Sequence, residues 1–254
     1  MNLVGRTFLM ALFLFLIGFL SSFSATYNHT QKIPYQAKKS LSDSQNISKA
    51  YNVNEKKAIA NSVSSAVRMM SVDAAGEGIS MASGTYFIYL GKYYVLTVSH
   101  AIVGACADTV VTHFENSSKC VEFVAIDELQ DYAIIEVEEL ADRKPLSILN
   151  AINFKMKKMP KLLDKTYYTG YPNNIGPLTM AGTIAGFADS GHLFINSYAW
   201  TGSSGSGVFD QNGKLVGIIM ALDVGTTQYG VDVLENLLIV IPTQNIDWVG
   251  ALHR

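Results

Sequence analysis

Thr201-Gly202-Ser203-Ser204-Gly205-Ser206-Gly207-Val208-Phe209 is a glycine-dense turn that runs straight into an apolar strand. An attacking serine needs that setting. Its Oγ must stand exposed on a tight turn, with backbone N–H groups converging where negative charge develops on a carbonyl oxygen. Glycines on both sides of Ser203-Ser204 permit such a backbone. Alone, a Gly-Ser-Ser-Gly run is more often an ordinary loop, so the stretch needs partners elsewhere. At this point Ser204 and Ser206 compete for the role.

Two partners lie upstream. In Val95-Leu96-Thr97-Val98-Ser99-His100-Ala101-Ile102-Val103 an apolar strand delivers His100 to its end. Imidazole is the side chain whose ordinary pKa suits taking and returning a proton near neutrality. In Gln130-Asp131-Tyr132-Ala133-Ile134-Ile135-Glu136-Val137 an acid stands immediately before a strongly apolar strand. Each has a plain structural reading as well: a satisfied strand-end histidine and a turn aspartate.

The strands around these motifs are short, β-branched or aromatic, and separated by Gly/Asn/Asp turns. One set covers 66–72, 85–90, 93–98, 109–114, 121–126 and 133–137; a second covers 166–170, 178–187, 192–197, 207–209, 214–222 and 237–241. Such spacing predicts an all-β barrel or sandwich. Residues 243–252, after Pro242, are the best helix candidate, with Ile246, Val249 and Leu252 at helical spacing.

The order His, Asp, Ser and the segments around each residue resemble the trypsin-like (chymotrypsin-fold) serine peptidases. Among these the bacterial high-temperature-requirement proteases are the nearest match, from about Val67 to Val249. The segments that carry the likeness are Ser83-Gly84-Thr85-Tyr86-Phe87, Thr97-Val98-Ser99-His100-Ala101, Gln130 to Val137 and Gly202 to Gly207. Asp210-Gln211-Asn212-Gly213-Lys214-Leu215-Val216-Gly217-Ile218 is similar to the family's hairpin after the nucleophile, and Ile239-Val240-Ile241-Pro242 to its strand before the final helix. No counterpart of the C-terminal PDZ domain of many such relatives is seen.

The resemblance implies two six-stranded antiparallel β-barrels with a C-terminal helix, barrel 1 at about 64–145 and barrel 2 at about 163–241. It implies a serine endopeptidase acting on a protein or peptide through an acyl-enzyme, with Ser204 as nucleophile, His100 as general base and Asp131 orienting that base. The family spacing of Gly202 and Gly205 selects Ser204 over Ser206. The N–H groups of Gly202 and Ser204 would form the oxyanion hole, and neither a metal nor an organic cofactor is needed. Digestive relatives carry Asp where Ser203 stands, so activation by a freed N-terminus pairing with that acid is not expected. In relatives the S1 wall includes the residue six before the nucleophile, here Tyr198, and the strand after it, here 218–222 with Met220 and Ala221. Neither supplies an acid or a histidine, which favours a small or medium apolar P1 side chain. His192 reads as a strand-end structural residue.

The N-terminus is built differently. Phe8 to Leu20 is an uninterrupted apolar block behind a single positive charge at Arg6, and Ser22 and Ser24 suit a cleavage site before Ala25. Residues 1–25 are therefore expected to be a signal peptide or signal anchor, giving a secreted, periplasmic or membrane-tethered protein. Residues 26–58, rich in Ser, Asn, Gln and Lys, read as a flexible linker, leaving 59–254 for the protease domain. Sequons at Asn28, Asn46 and Asn116 decide nothing.

Net charge is -2, and no basic stripe interleaved with aromatics occurs, so nucleic acid is excluded as a partner. The one basic run, Lys155, Lys157, Lys158 and Lys161, reads as a solvated loop. Cys106 and Cys120 are too few and too far apart for a zinc site. In an oxidising compartment they could close a loop. A hairpin turning at Asn116-Ser117-Ser118 would instead put Cys106 well down the opposite arm, and both outcomes stay open. Two non-enzymatic readings compete with the peptidase: a protease-shaped binding module, and an envelope or virion structural protein.

Overall fold

The computed structural model describes residues 53–76, 78–151, 160–227 and 230–252. The expected export segment, most of the expected linker, and Lys155, Lys157 and Lys158 lie outside the described residues.

The first barrel consists of β1 (Ala66–Val72), β2 (Ile79–Tyr89), β3 (Lys92–Thr97), β4 (Thr109–His113), β5 (Asn116–Asp127) and β6 (Tyr132–Val137). They pair antiparallel in the order β1-β4-β5-β6-β3-β2, and β2 returns to β1 with Ala66 opposite Thr85. A two-residue β7 (Leu146–Ser147) adds to β2 in parallel. The second barrel, β8 (Lys165–Gly170), β9 (Leu178–Phe187), β10 (Leu193–Asn196), β11 (Gly207–Asp210), β12 (Leu215–Thr227) and β13 (Gly230–Pro242), closes in the order β10-β13-β12-β11-β8-β9. Closure pairs the strand edges around each barrel, β12 and β13 running on beyond it as a two-stranded ribbon with Asp223 opposite Leu234 and Thr227 opposite Gly230, and the inward side chains fill each lumen. In the first these include Val67, Met69, Val95 and Ile135; in the second Ile184, Leu193, Ile195, Val208 and Val240, all buried. The expected pair of six-stranded barrels is therefore present.

The helices differ from expectation. Helix α1 (Val53–Ser65) begins inside the stretch read as linker. Its sequence carries little apolar periodicity because polar contacts hold it. Glu55, 5 % exposed, accepts hydrogen bonds from Lys165 Nζ at 2.7 Å and from the Tyr167 hydroxyl at 2.9 Å. Asn61 donates to the Gly213 carbonyl at 2.8 Å, and the Ser62 and Thr169 hydroxyls meet at 2.9 Å. A single turn, α2 (Ile148–Ala151), follows β7. The expected helix 243–252 is a 3-10 turn, Thr243–Asn245, then extended backbone at Ile246, and only five residues of α-helix, α3 (Trp248–Leu252). Ile246 and Trp248 both turn inward: the indole donates to the Thr243 carbonyl at 2.9 Å and packs edge-on against Phe87. This bend carries the end of the chain from the second barrel back onto the first.

Cys106 and Cys120 are bonded, with Cα atoms 5.3 Å apart. The hairpin turns at Phe114-Glu115, with His113 opposite Asn116, and Phe114 takes a left-handed φ of 50°. Strand β4 begins only at Thr109; Cys106 lies in the preceding 3-10 turn, Cys106–Asp108, which brings it back beside β5. The expectation of separate arms assumed a straight strand through 106.

Candidate active site

Four segments converge where the barrels meet. Strand β3 ends at Thr97, and the short 3-10 turn Ser99–Ala101 swings His100 out of the core, leaving its side chain 52 % exposed. Asp131 stands in the turn between β5 and β6. Asp127 Oδ1 closes that turn by accepting the Leu129 and Gln130 amides at 3.0 and 2.9 Å. Asp131 itself adopts φ 56°, a left-handed conformation that aspartate tolerates. Its carboxylate accepts from the Ser99 hydroxyl at 2.8 Å and from the His100 amide at 3.0 Å through Oδ1, and meets His100 Nδ1 at 2.8 Å through Oδ2. Burial alone would raise the Asp131 pKa. The hydrogen bonds from the His100 ring and amide and from Ser99 outweigh it and hold the carboxyl below its usual value. With Asp131 ionised, Nδ1 carries the proton and Nε2 is left as the basic nitrogen.

The glycine-dense turn enters from the second barrel, just before β11. Gly202 and Gly205 have φ of 94° and 86°, so the turn uses left-handed backbone at the two positions where its sequence offers glycine. Ser203 closes the turn on itself, its amide donating to the Trp200 carbonyl at 2.9 Å and its Oγ accepting the Trp200 amide at 3.3 Å. Strand β2 grips the turn from the first barrel. The Ser83 amide donates to the Ser204 carbonyl at 2.8 Å and the Ser83 hydroxyl to the Gly202 carbonyl at 2.7 Å. On the far side, the Asn173 amide donates to the Thr201 carbonyl at 2.7 Å. Because the Thr201–Gly202 peptide is trans and planar, holding its oxygen there turns the Gly202 N–H the opposite way. Neither the Gly202 nor the Ser204 amide has a hydrogen-bond acceptor among the described residues.

Ser204 and His100 line one cleft of about 520 Å³, together with Ile79, Met81, Ala199, Trp200, Ile219 and Met220. No hydrogen bond joins Ser204 to His100 among the described residues. Ser206, the rival serine, is fully buried, and its Oγ has no partner. It is out of reach of a substrate.

Of the expected S1 residues, Met220 lines the cleft and the backbone of Ala221 pairs with Ile239 in β12–β13. Tyr198 does not line it: its side chain is 60 % exposed, and its carbonyl accepts the Tyr168 hydroxyl. Ala199 and Trp200 line the cleft beside it. Trp200, Ile79 and Met81, which no sequence motif points to, also line the cleft, large apolar side chains left 41 to 59 % exposed beside the serine turn. His192 sits in the β9–β10 hairpin with Nδ1 2.7 Å from Ser190 Oγ, away from the cleft.

Two antiparallel six-stranded barrels, with a histidine–aspartate pair from one facing a serine turn from the other, define the chymotrypsin-like class of fold. The serine endoprotease of Yersinia pestis has this fold, with TM-score 0.58, 21% identity, and coverage of 76% of this chain and 64% of that one. So does the active form of the Rv3671c protease of M. tuberculosis, with TM-score 0.58, 18% identity, and coverage of 79% and 84%. The chain thus spans just under two thirds of the Yersinia protein's length. No curated protein matches it in sequence. The family model of the trypsin-like peptidase domain matches residues 82–218, and the chain belongs to that family.

Proposed function

We propose that this trypsin-like peptidase is an active serine endopeptidase using His100, Asp131 and Ser204. The observation that carries this reading is the Asp131 carboxylate, which fixes both ring and backbone of His100 at the rim of the cleft that holds Ser204.

Ser204 Oγ attacks the scissile carbonyl carbon while His100 Nε2 takes its proton. Asp131 keeps the Nδ1–H tautomer in place and stabilises the imidazolium. The carbonyl oxygen, now negative, meets the Gly202 and Ser204 amides, each such donor contributing about 3 kcal/mol in comparable sites. Collapse expels the amine with the proton from His100, leaving an acyl ester on Ser204; water, deprotonated by the same imidazole, then releases the acid.

Ala199, Trp200, Ile219 and Met220 give the cleft an apolar wall without an acid or histidine, which supports a small or medium apolar P1 side chain. A peptide library varied at P1 tests this. Selective cleavage after Lys or Arg would refute it.

The missing Ser204–His100 hydrogen bond is the one observation that favours a non-catalytic binding module. Such contacts are commonly loose without substrate and tighten in the reacting complex. A fluorophosphonate that fails to label the folded protein would decide for the module.

The Cys106–Cys120 bond supports an oxidising compartment, in keeping with an export segment at 1–25. No helix of the described residues is long and apolar enough to cross a membrane. A mature N-terminus at Ala25 would mean a released protein, and an intact Met1 or Asn2 a tethered one.

A further inference from the structure

Tyr171 follows β8 and belongs to the second barrel, yet its side chain is fastened inside the first. Its hydroxyl oxygen lies 2.5 Å from His113 Nδ1 and 3.4 Å from the Ala66 carbonyl, which it can only donate to. On the other side of the imidazole, Arg143 Nη1 is 3.1 Å from His113 Nε2. Arginine only donates, so Nε2 accepts, and the His113 proton sits on Nδ1, pointing at the tyrosine. Arg143 also donates through Nη2 to the carbonyl of Val63, in the last turn of helix α1. That carbonyl is one of the four a helix leaves without an internal partner, and the cation sits at the negative end of the helix dipole. The Arg68 guanidinium lies over the Tyr171 ring, 5.7 Å from its centre.

The Tyr171 backbone meets the oxyanion turn. Its amide donates to Ser83 Oγ at 2.8 Å, the same oxygen that donates onward to the Gly202 carbonyl. Its carbonyl lies against Gly202, 2.7 Å from where a Cβ would stand. Two residues further on, Asn173 holds the Thr201 carbonyl. Both peptide planes flanking Gly202 thus meet groups that adjoin Tyr171: Ser83 Oγ, which accepts the Tyr171 amide, and the Asn173 amide two residues on.

We infer that Tyr171 and Ser83 are positioning residues for the Gly202 amide, and that helix α1 reaches the oxyanion turn through Arg143, His113, Tyr171 and Ser83. Ser203 offers no carboxylate for a new N-terminus to pair with, and this relay holds the turn in its stead. The inference rests on the peptidase reading for its effect on rate, and on geometry alone for its effect on order.

Tyr171→Phe and Ser83→Ala, made singly and together in the full chain, provide the test. With a peptide substrate, kcat falls about tenfold in Tyr171→Phe and about 10- to 100-fold in Ser83→Ala, with KM unchanged. The double variant is no slower than Ser83→Ala alone, as one continuous relay requires. A peptide aldehyde, which needs the oxyanion hole, weakens in parallel with kcat, whereas a cleaved product peptide binds as before. Amide hydrogen exchange in residues 200–206 accelerates in both variants while exchange in the barrel strands does not. Multiplying effects in the double variant, or a uniform rise in exchange with kcat unchanged, would overturn the relay and leave a merely structural tyrosine. If the wild type cleaves nothing, the peptidase reading fails, and exchange at 200–206 still decides this one.

Discussion

At Gly205 a φ of 86° coincides with a site where an added Cβ would run into the Ser83 carbonyl and the Thr97 hydroxyl, which is itself bonded to that carbonyl at 2.8 Å. No side chain relieves either conflict, so Gly205→Ala is expected to lose labelling by an active-site probe before it loses the barrels. Asp131→Asn tests the other half of the site. It keeps the shape but lets the imidazole adopt the wrong tautomer, and kcat should fall on the order of 10⁴-fold while the circular dichroism spectrum is retained. His113 supplies a pH prediction. Burial, with Arg143 and Arg68 nearby, pushes its pKa from 6.5 down to about 3. Between those values the unfolded chain binds a proton that the folded chain refuses, so stability is full above pH 6.5 and declines as pH falls towards about 3. The Asp131 contribution has the same sign in a lower window, present above 3.8 and lost as pH falls through its depressed folded value. Urea unfolding at pH 7 and pH 5 reads the His113 part. His113→Gln should flatten that slope, and an unchanged slope would contradict the assignment.

Among the elements, strands were the most legible in the sequence and polar docking the least. Leu178–Phe187 was read with its observed ends, and most other strands to within a few residues, because β-branched runs between turn residues report a half-buried sheet directly. Helix α1 was hidden because its anchors are Glu55, Asn61 and Ser62, residue types equally at home in a linker. Glu55→Ala removes the buried acceptor of Lys165 and Tyr167 and should lower unfolding stability by about 1–3 kcal/mol. The sequence does not decide the disulfide because nothing in it announces the 3-10 turn at Cys106–Asp108. Its loop spans 14 residues, and opening it should cost about 3 kcal/mol on the chain-entropy account. Denaturation with and without reductant, or in Cys106→Ser/Cys120→Ser, measures it.

For the molecule as a whole, the site is an interface property. His100 and Asp131 come from one barrel and Ser204 from the other; α1, Tyr171, the Ser83 contacts and the returning C-terminal segment hold the barrels in register. The segments around His100, Asp131 and Ser204 and their order could be read from the sequence, since each is a contiguous string. The bonds from Ser83, Asn173 and Tyr171 that aim the Gly202 amide could not, because each joins residues far apart in the chain. Tyr198 is exposed and does not line the cleft, while Ala199 and Trp200 do; which face of the chain at 198–200 looks into the cleft depends on packing and not on the local string. Whether this constellation performs nucleophilic catalysis turns on the reactivity of Ser204. Fluorophosphonate treatment of the full-length protein followed by peptide mapping tests it most directly. A single adduct on Ser204 is expected, absent in Ser204→Ala and strongly slowed in His100→Ala although both variants stay folded; an adduct on another serine, or a folded wild type that never labels, would rule out catalysis by this serine.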